Sequence, residues 1–162
     1  MPRASLSALR AVLRSPPRGA AIVEFALIMP FLVLLLVGLC DLGFGVYGSM
    51  QVQAAAEAGA QYASRNGWDT ANIAAAVTSG TGASGITALP APYQTCGCTN
   101  NNVFTQVGTP TNGSCSSLTC SPSGNPGLYA SISAQLLYQP MLPYPGLPAT
   151  LTLAGQAYRR LN

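Results

Sequence analysis

The longest feature of the hydropathy pattern is an apolar run from Ala20 to Cys40, 21 residues interrupted by a single ionisable side chain, Glu24. A helix of that length rises about 30 Å, which matches the hydrocarbon thickness of a bilayer. The run predicts one membrane crossing. Helical patterning continues beyond it, through Gly43, Gly45 and Gly48 into Gln51-Val52-Gln53-Ala54-Ala55-Ala56-Glu57 and on to Ala63. Asn66-Gly67 supplies a left-handed stop, so the pattern predicts a helix over residues 20–66, about 70 Å long if unbroken. Pro30 lies inside it, where the missing N–H predicts a kink of the kind membrane helices tolerate.

Further along, Asp69 is placed to cap a short second helix that Gly80 ends, with Trp68 packing on Ile73 across the cap. Thr78 to Gly85 reads as a loop, and Pro90 to Gly127 as a longer irregular stretch rich in Gly, Pro and Asn. Apolar residues then fall on the even positions from Leu128 to Tyr138, with Ser131, Ser133 and Gln135 between them, which predicts a half-buried strand. Leu151, Leu153 and Ala157 mark a second strand of the same kind. The Pro140–Pro148 segment between them cannot join a ladder and is expected as an apolar connector packed under the long helix, with contact to the membrane surface or a neighbouring subunit as the alternative.

The expected class is therefore α+β: a long N-terminal helix, transmembrane in its first half, then a short helix and a small antiparallel sheet with a disulfide-tied loop. The domains divide as residues 1–19, a leader; residues 20–66, the helix; and residues 67–162, an extracytoplasmic head.

Charge orients this arrangement. Only 7% of the residues are charged, and Lys and His are absent. Four of the seven Arg (Arg3, Arg10, Arg14, Arg18) precede the apolar run, which predicts a cytoplasmic N-terminus and an exported C-terminus. Beyond residue 19 three Arg face four acids, a side-chain balance of −1, so there is no cationic footprint for nucleic acid. Without His, and with the acids scattered through the helical half, no acid/base or nucleophile/base pair suggests itself, and no catalytic residue, metal or cofactor is implied.

A cleaved signal peptide is the rival for the N-terminal region. The long basic leader, the carboxylate within the apolar run, and the lack of a better small-x-small site than Val46-Tyr47-Gly48 weigh against it. A lipoprotein signal is nearly spelled by Leu36-Val37-Gly38-Leu39-Cys40, but Leu39 stands where a small residue is needed. Ala55, Gly59 and Ala63, four apart, form a small-residue stripe that reads equally as a subunit seam or as a helix covering its own domain.

Cys96, Cys98, Cys115 and Cys120 lie on the exported side, where oxidation is possible, and two disulfides would stabilise a loop with little apolar content. Direct Cys96–Cys98 pairing is disfavoured by so short a ring, which leaves two connectivities open. A metal site fits less well because zinc knuckles usually space their cysteines by two residues. Cys40 reads as an unpaired apolar filler.

Arg18-Gly19-Ala20-Ala21-Ile22-Val23-Glu24-Phe25 joins a basic leader ending in Gly to a small residue, an in-membrane acid and an aromatic. It resembles a type IV prepilin processing site. With Pro30, Asp41-Leu42-Gly43 and Tyr47, the stretch from Gly19 to Met50 resembles the TadE-like pseudopilins of the tight-adherence (Flp) pilus system. The Pro- and Leu-rich connector is also similar.

The resemblance implies a pilin-like helix, a prepilin-type leader over residues 1–19 cut by a prepilin peptidase between Gly19 and Ala20, and Glu24 as the fifth mature residue. It assigns Glu24 and Phe25 to assembly, the acid meeting the new α-amine of an adjacent subunit, although a Glu24 that snorkels to the headgroups is the plainer reading. It makes Pro30 a point where the helix can loosen. The implied partners are the peptidase, the lipid bilayer, the Flp major pilin, a sister pseudopilin and the inner-membrane platform. The implied place is the bacterial inner membrane with the head in the periplasm; entry into a surface pilus stays open. The alternative is a monomeric membrane-anchored binding or adhesion module that keeps its leader.

Overall fold

The helical pattern closes into a single element, α1 (Ala20–Asn66, 47 residues), in a computed structural model of the chain. The structure describes residues 19–100, 103–121, 124–142, 146 and 148–161, and of Ala20 the backbone alone. The leader up to Arg18, with its four Arg, lies outside the described residues, as do Pro143, Tyr144, Pro145 and Leu147 of the connector. α1 continues through Pro30 and stops where Gly67 takes a φ of 86°. Asp69 caps α2 (Thr70–Ser79) by accepting the amides of Ala71 at 3.0 Å and Asn72 at 3.2 Å. Trp68 packs against the core that contains Ile73, as the staple requires. α2 takes in Thr78 and Ser79, so the loop expected from Thr78 begins two residues later.

Two compact units divide between Cys40 and Asp41. In the first, the described residues after Gly19 are helical and their apolar side chains point outward, with Ile22 71% and Phe31 73% exposed. α1 is long and apolar enough to cross a membrane once, as a single-pass anchor requires.

The second unit sets the rest of α1 and α2 on a five-stranded antiparallel sheet: β1 (Ile86–Thr87), β2 (Tyr93–Asn100), β3 (Val103–Gly108), β4 (Gly127–Tyr138) and β5 (Leu151–Arg160). β4 is central. β5 runs along one edge of it, while β2 and β1 share the other, and β3 extends the sheet beyond β2. The even positions of β4 face the helices, so Ala130, Ile132 and Ala134 join Val52, Ala55, Ala56 and Ala60 of α1 with Ile73 and Val77 of α2 in one core.

Small residues let these layers approach closely. A Cβ on Gly59 would lie 2.5 Å from Val77 Cγ2 and 3.1 Å from Ile132 Cγ2, and one on Gly155 only 2.9 Å from the Cα of Gln53. The Ala55-Gly59-Ala63 stripe is therefore spent inside the domain, and its reading as a subunit seam is overturned.

Two further expectations change. The Pro90–Gly127 stretch is not irregular throughout: it holds β2 and β3, paired from Asn100↔Val103 to Cys96↔Gly108 with a bulge near Cys96/Gly97. β4 is more than half buried, because Ser131 and Ser133 on its other face are also covered. On that face Phe104 of β3 stacks on Tyr158 of β5 at 4.3 Å and meets Tyr129 edge-on at 4.9 Å, while Gln156 Nε2 donates to Ser131 Oγ at 3.2 Å. Phe104 also occupies the space a side chain on Gly97 would need.

Candidate assembly helix and disulfide-tied hairpin

The first helical hydrogen bond fixes the geometry of the expected processing site: Val23 N donates to the Gly19 carbonyl at 3.3 Å. The Gly19–Ala20 peptide thus forms the entry to α1. Gly19 is exposed, and a Cβ there would meet nothing within 4 Å, so no contact among the described residues requires glycine at this place. Glu24 follows four residues after Ala20, one turn along the same face, and is exposed; Phe25 beside it is 60% exposed. Pro30 is exposed too, within the unbroken helix.

Asp41 has the opposite environment. It is 5% exposed, its carboxylate accepts the hydroxyl of Tyr138, and its two oxygens lie 3.2 and 3.1 Å from the donating amide of Met141. The Tyr138 hydroxyl also lies 2.9 Å from the Asp41 carbonyl. This latch fastens α1 to the end of β4 and the start of the β4–β5 connector, and a buried carboxylate is tolerated there because donors converge on it. Sequence reasoning placed Asp41 in a motif but gave it no partner. The available signal was an acid beside an apolar run together with a Tyr ending a strand.

The four cysteines are brought together in two disulfides, Cys96–Cys115 and Cys98–Cys120, with Cα separations of 5.7 and 5.8 Å. Strand alternation explains why both cysteines of β2 can reach the same segment. Cys96 and Cys98 are two apart on β2 and project to the same face, Cys96 opposite Leu128, so each reaches a different point of the segment after β3. Within that segment Asn112 and Gly113 take φ of 53° and 73°, and Thr111 and Ser114 exchange both backbone hydrogen bonds at 3.0 Å, which makes a tight turn. A cavity of about 350 Å³ opens beside Cys98–Cys120, with Asn100, Ser121, Tyr129 and Arg160 among its lining. Cys40 is a free, exposed thiol.

The outer edge of β5 is engaged at one peptide. The Gln53 amide brackets the Gln156 peptide, Oε1 accepting its N–H and Nε2 donating to its carbonyl, both at 3.2 Å. A side chain thereby takes the place of a strand neighbour on an edge open to pairing.

Residues 19–61 match the model of the TadE-like proteins. The match is consistent with a TadE-like protein, a family associated with the Tad pilus; it begins at Gly19 and covers about a quarter of the chain. The TadE-like segment contains Glu24, Phe25, Pro30 and Asp41 and ends within α1, before α2 and the sheet. No curated protein and no solved structure matches the chain.

Proposed function

We propose that this chain is a minor pseudopilin, a structural part of a Flp-type pilus or secretion apparatus and not a catalyst. It is inserted with its N-terminus in the cytoplasm and its head in the periplasm, and a prepilin peptidase cuts it between Gly19 and Ala20. The observation that carries this reading is the TadE-like match starting at Gly19, the residue whose exposed peptide opens α1. Cleavage removes the carbonyl that Val23 now uses and leaves a cationic amine at the positive end of the helix, where a carboxylate one turn away is favourable.

Glu24, exposed along an apolar helix, gains most from such an amine on an adjacent subunit, which would set the axial register between subunits. The major pilin, a sister pseudopilin and the inner-membrane platform are the partners this assembly requires.

The test is N-terminal sequencing of the membrane-extracted protein in cells with and without the prepilin peptidase. The expected result is an Ala20 N-terminus that disappears with the peptidase. An intact leader in both would favour a membrane-anchored binding module instead.

A further inference from the structure

The helix of the second unit has two faces of different chemistry. Asp41, Gly48, Val52 and Ala55 are buried. Away from them Leu42, Phe44, Val46, Tyr47 and Met50 are exposed, from 47% at Val46 to 66% at Leu42. Leu42, Val46 and Met50 are four apart, and beyond Met50 the exposed positions up to Gln61 are Gln53, Ala54, Glu57 and Gln61, polar except for the small Ala54. The change from apolar to polar therefore falls at Met50–Gln51 and not at Asp41, whose carboxylate is turned inward onto Tyr138 and Met141.

In sequence these positions follow directly on the crossing segment, whose Leu35 and Leu39 are exposed as well. The apolar positions from Ile22 to Met50 outnumber the roughly 20 residues that cross hydrocarbon alone, which leaves those after Asp41 for the headgroup layer. At the boundary itself the Tyr47 hydroxyl accepts a hydrogen bond from Gln51 Nε2 at 2.8 Å, an aromatic body with a polar tip of the kind that favours the membrane interface. Leu137, beside the latching Tyr138, is 70% exposed, and Met141, whose amide holds Asp41, is 61% exposed.

We propose that the globular unit is seated in the headgroup layer of the bilayer, with Leu42, Val46, Tyr47, Met50, Leu137 and Met141 against lipid and the water boundary at Met50–Gln51. The Asp41 latch makes this possible by removing the one charge that would otherwise hold the stripe in water. The inference rests on the membrane-anchor reading but not on leader cleavage or on pilus assembly.

The experiment uses the full chain in a Cys40→Ala background, reconstituted in phosphatidylethanolamine/phosphatidylglycerol vesicles, with an environment-sensitive fluorophore on Leu42→Cys, Val46→Cys, Met50→Cys or Ala54→Cys. All four positions are exposed, so the fold tolerates the label. Quenching by a headgroup-region nitroxide lipid is expected to be severalfold stronger at 42 and 46 than at 54, iodide quenching to show the reverse order, and position 50 to fall between. Iodide quenching at 42 and 46 equal to that at 54 overturns the proposal, and protection from both quenchers overturns it in favour of a protein partner. Failure of the chain to float with the vesicles overturns the anchor reading itself, so the two failures are distinct.

Discussion

Two acids, Glu24 within the apolar run and Asp41 directly after it, sit in the two units of the chain and are treated in opposite ways. Glu24 is exposed on a helix whose apolar side chains also face outward, whereas Asp41 is buried under donors from β4 and the connector. The first unit thus presents chemistry that needs something outside the chain, a bilayer or another subunit, while the second answers most of its own polar and apolar demands. Variants in the second unit should act on stability, and variants in the first on membrane residence and assembly. That division is open to direct attack.

The largest effect is expected from the disulfides. Each closes a loop of about twenty residues, and loss of one is worth about 3 kcal/mol of unfolding free energy. Cys96→Ser with Cys115→Ser should lower the denaturation midpoint, followed by the fluorescence of Trp68, the single tryptophan, which packs on the core. Membrane retention should be unchanged. If retention falls along with stability, the two units do not divide the work as argued.

Glycines sharpen the same contrast at smaller cost. Gly155→Ala forces a Cβ to within 2.9 Å of the Gln53 backbone, which cannot give way as a side chain can, and should cost about 1–3 kcal/mol. Gly43→Ala meets nothing within 4 Å and should stay within about 0.5 kcal/mol of the parent. Thermal unfolding of the two variants in the same detergent compares them; equal losses would mean that the close helix–sheet approach at Gly155 is not what holds this layer.

How much of this was legible in the sequence follows the range of the interactions. α1, the Asp69 cap, the stop at Gly67 and the two long C-terminal strands are set by neighbours within a few residues, and the sequence pattern finds them. β2 and β3 are hidden because Gly97 and Asn100 weaken a strand signal locally, while the pairing that ties β2 into the sheet comes from β4, some thirty residues on, and β3, among the described residues, pairs only with β2. Asn112-Gly113, a hairpin signal in its own right, was absorbed into the irregular stretch.

Ser131 reads as a solvent-facing position until Phe104, Tyr129 and Tyr158, brought together from three strands, cover that face. Cys96 and Cys98 share a face of β2, so their connectivity depends on where the segment after β3 passes each of them, which no local pattern records. The Asp41 latch joins residues 97 and 100 apart, beyond any local pattern.

The two acids can also be exchanged for uncharged residues. Asp41→Ala removes the carboxylate to which both the Tyr138 hydroxyl and the Met141 amide donate, and should cost about 1–3 kcal/mol through the loss of these hydrogen bonds. Glu24→Gln should leave unfolding unchanged and reduce fibre formation and subunit capture. Thermal unfolding and a co-purification assay, run on both variants, decide the matter; a stability loss at Glu24 comparable to that at Asp41 would erase the contrast.

The smallest effect concerns a third acid, Asp69, which lies outside the membrane segment. The backbone amide of Asn72 holds its carboxyl below the ordinary carboxylate range against an opposing desolvation, with help from the Asn72 side chain and the Ala71 amide. Because the folded pKa is the lower of the two, the cap's contribution is complete above the unfolded value of about 3.9 and is lost as pH falls through the folded one. The amide proton shifts of Ala71 and Asn72 should therefore titrate together below pH 4 as the first turn of α2 loosens. In Asp69→Asn, which retains a side-chain oxygen to accept those amides but carries no charge, the titration should vanish while the helix persists. A titration that survives the substitution would assign the acid sensitivity of α2 to another group.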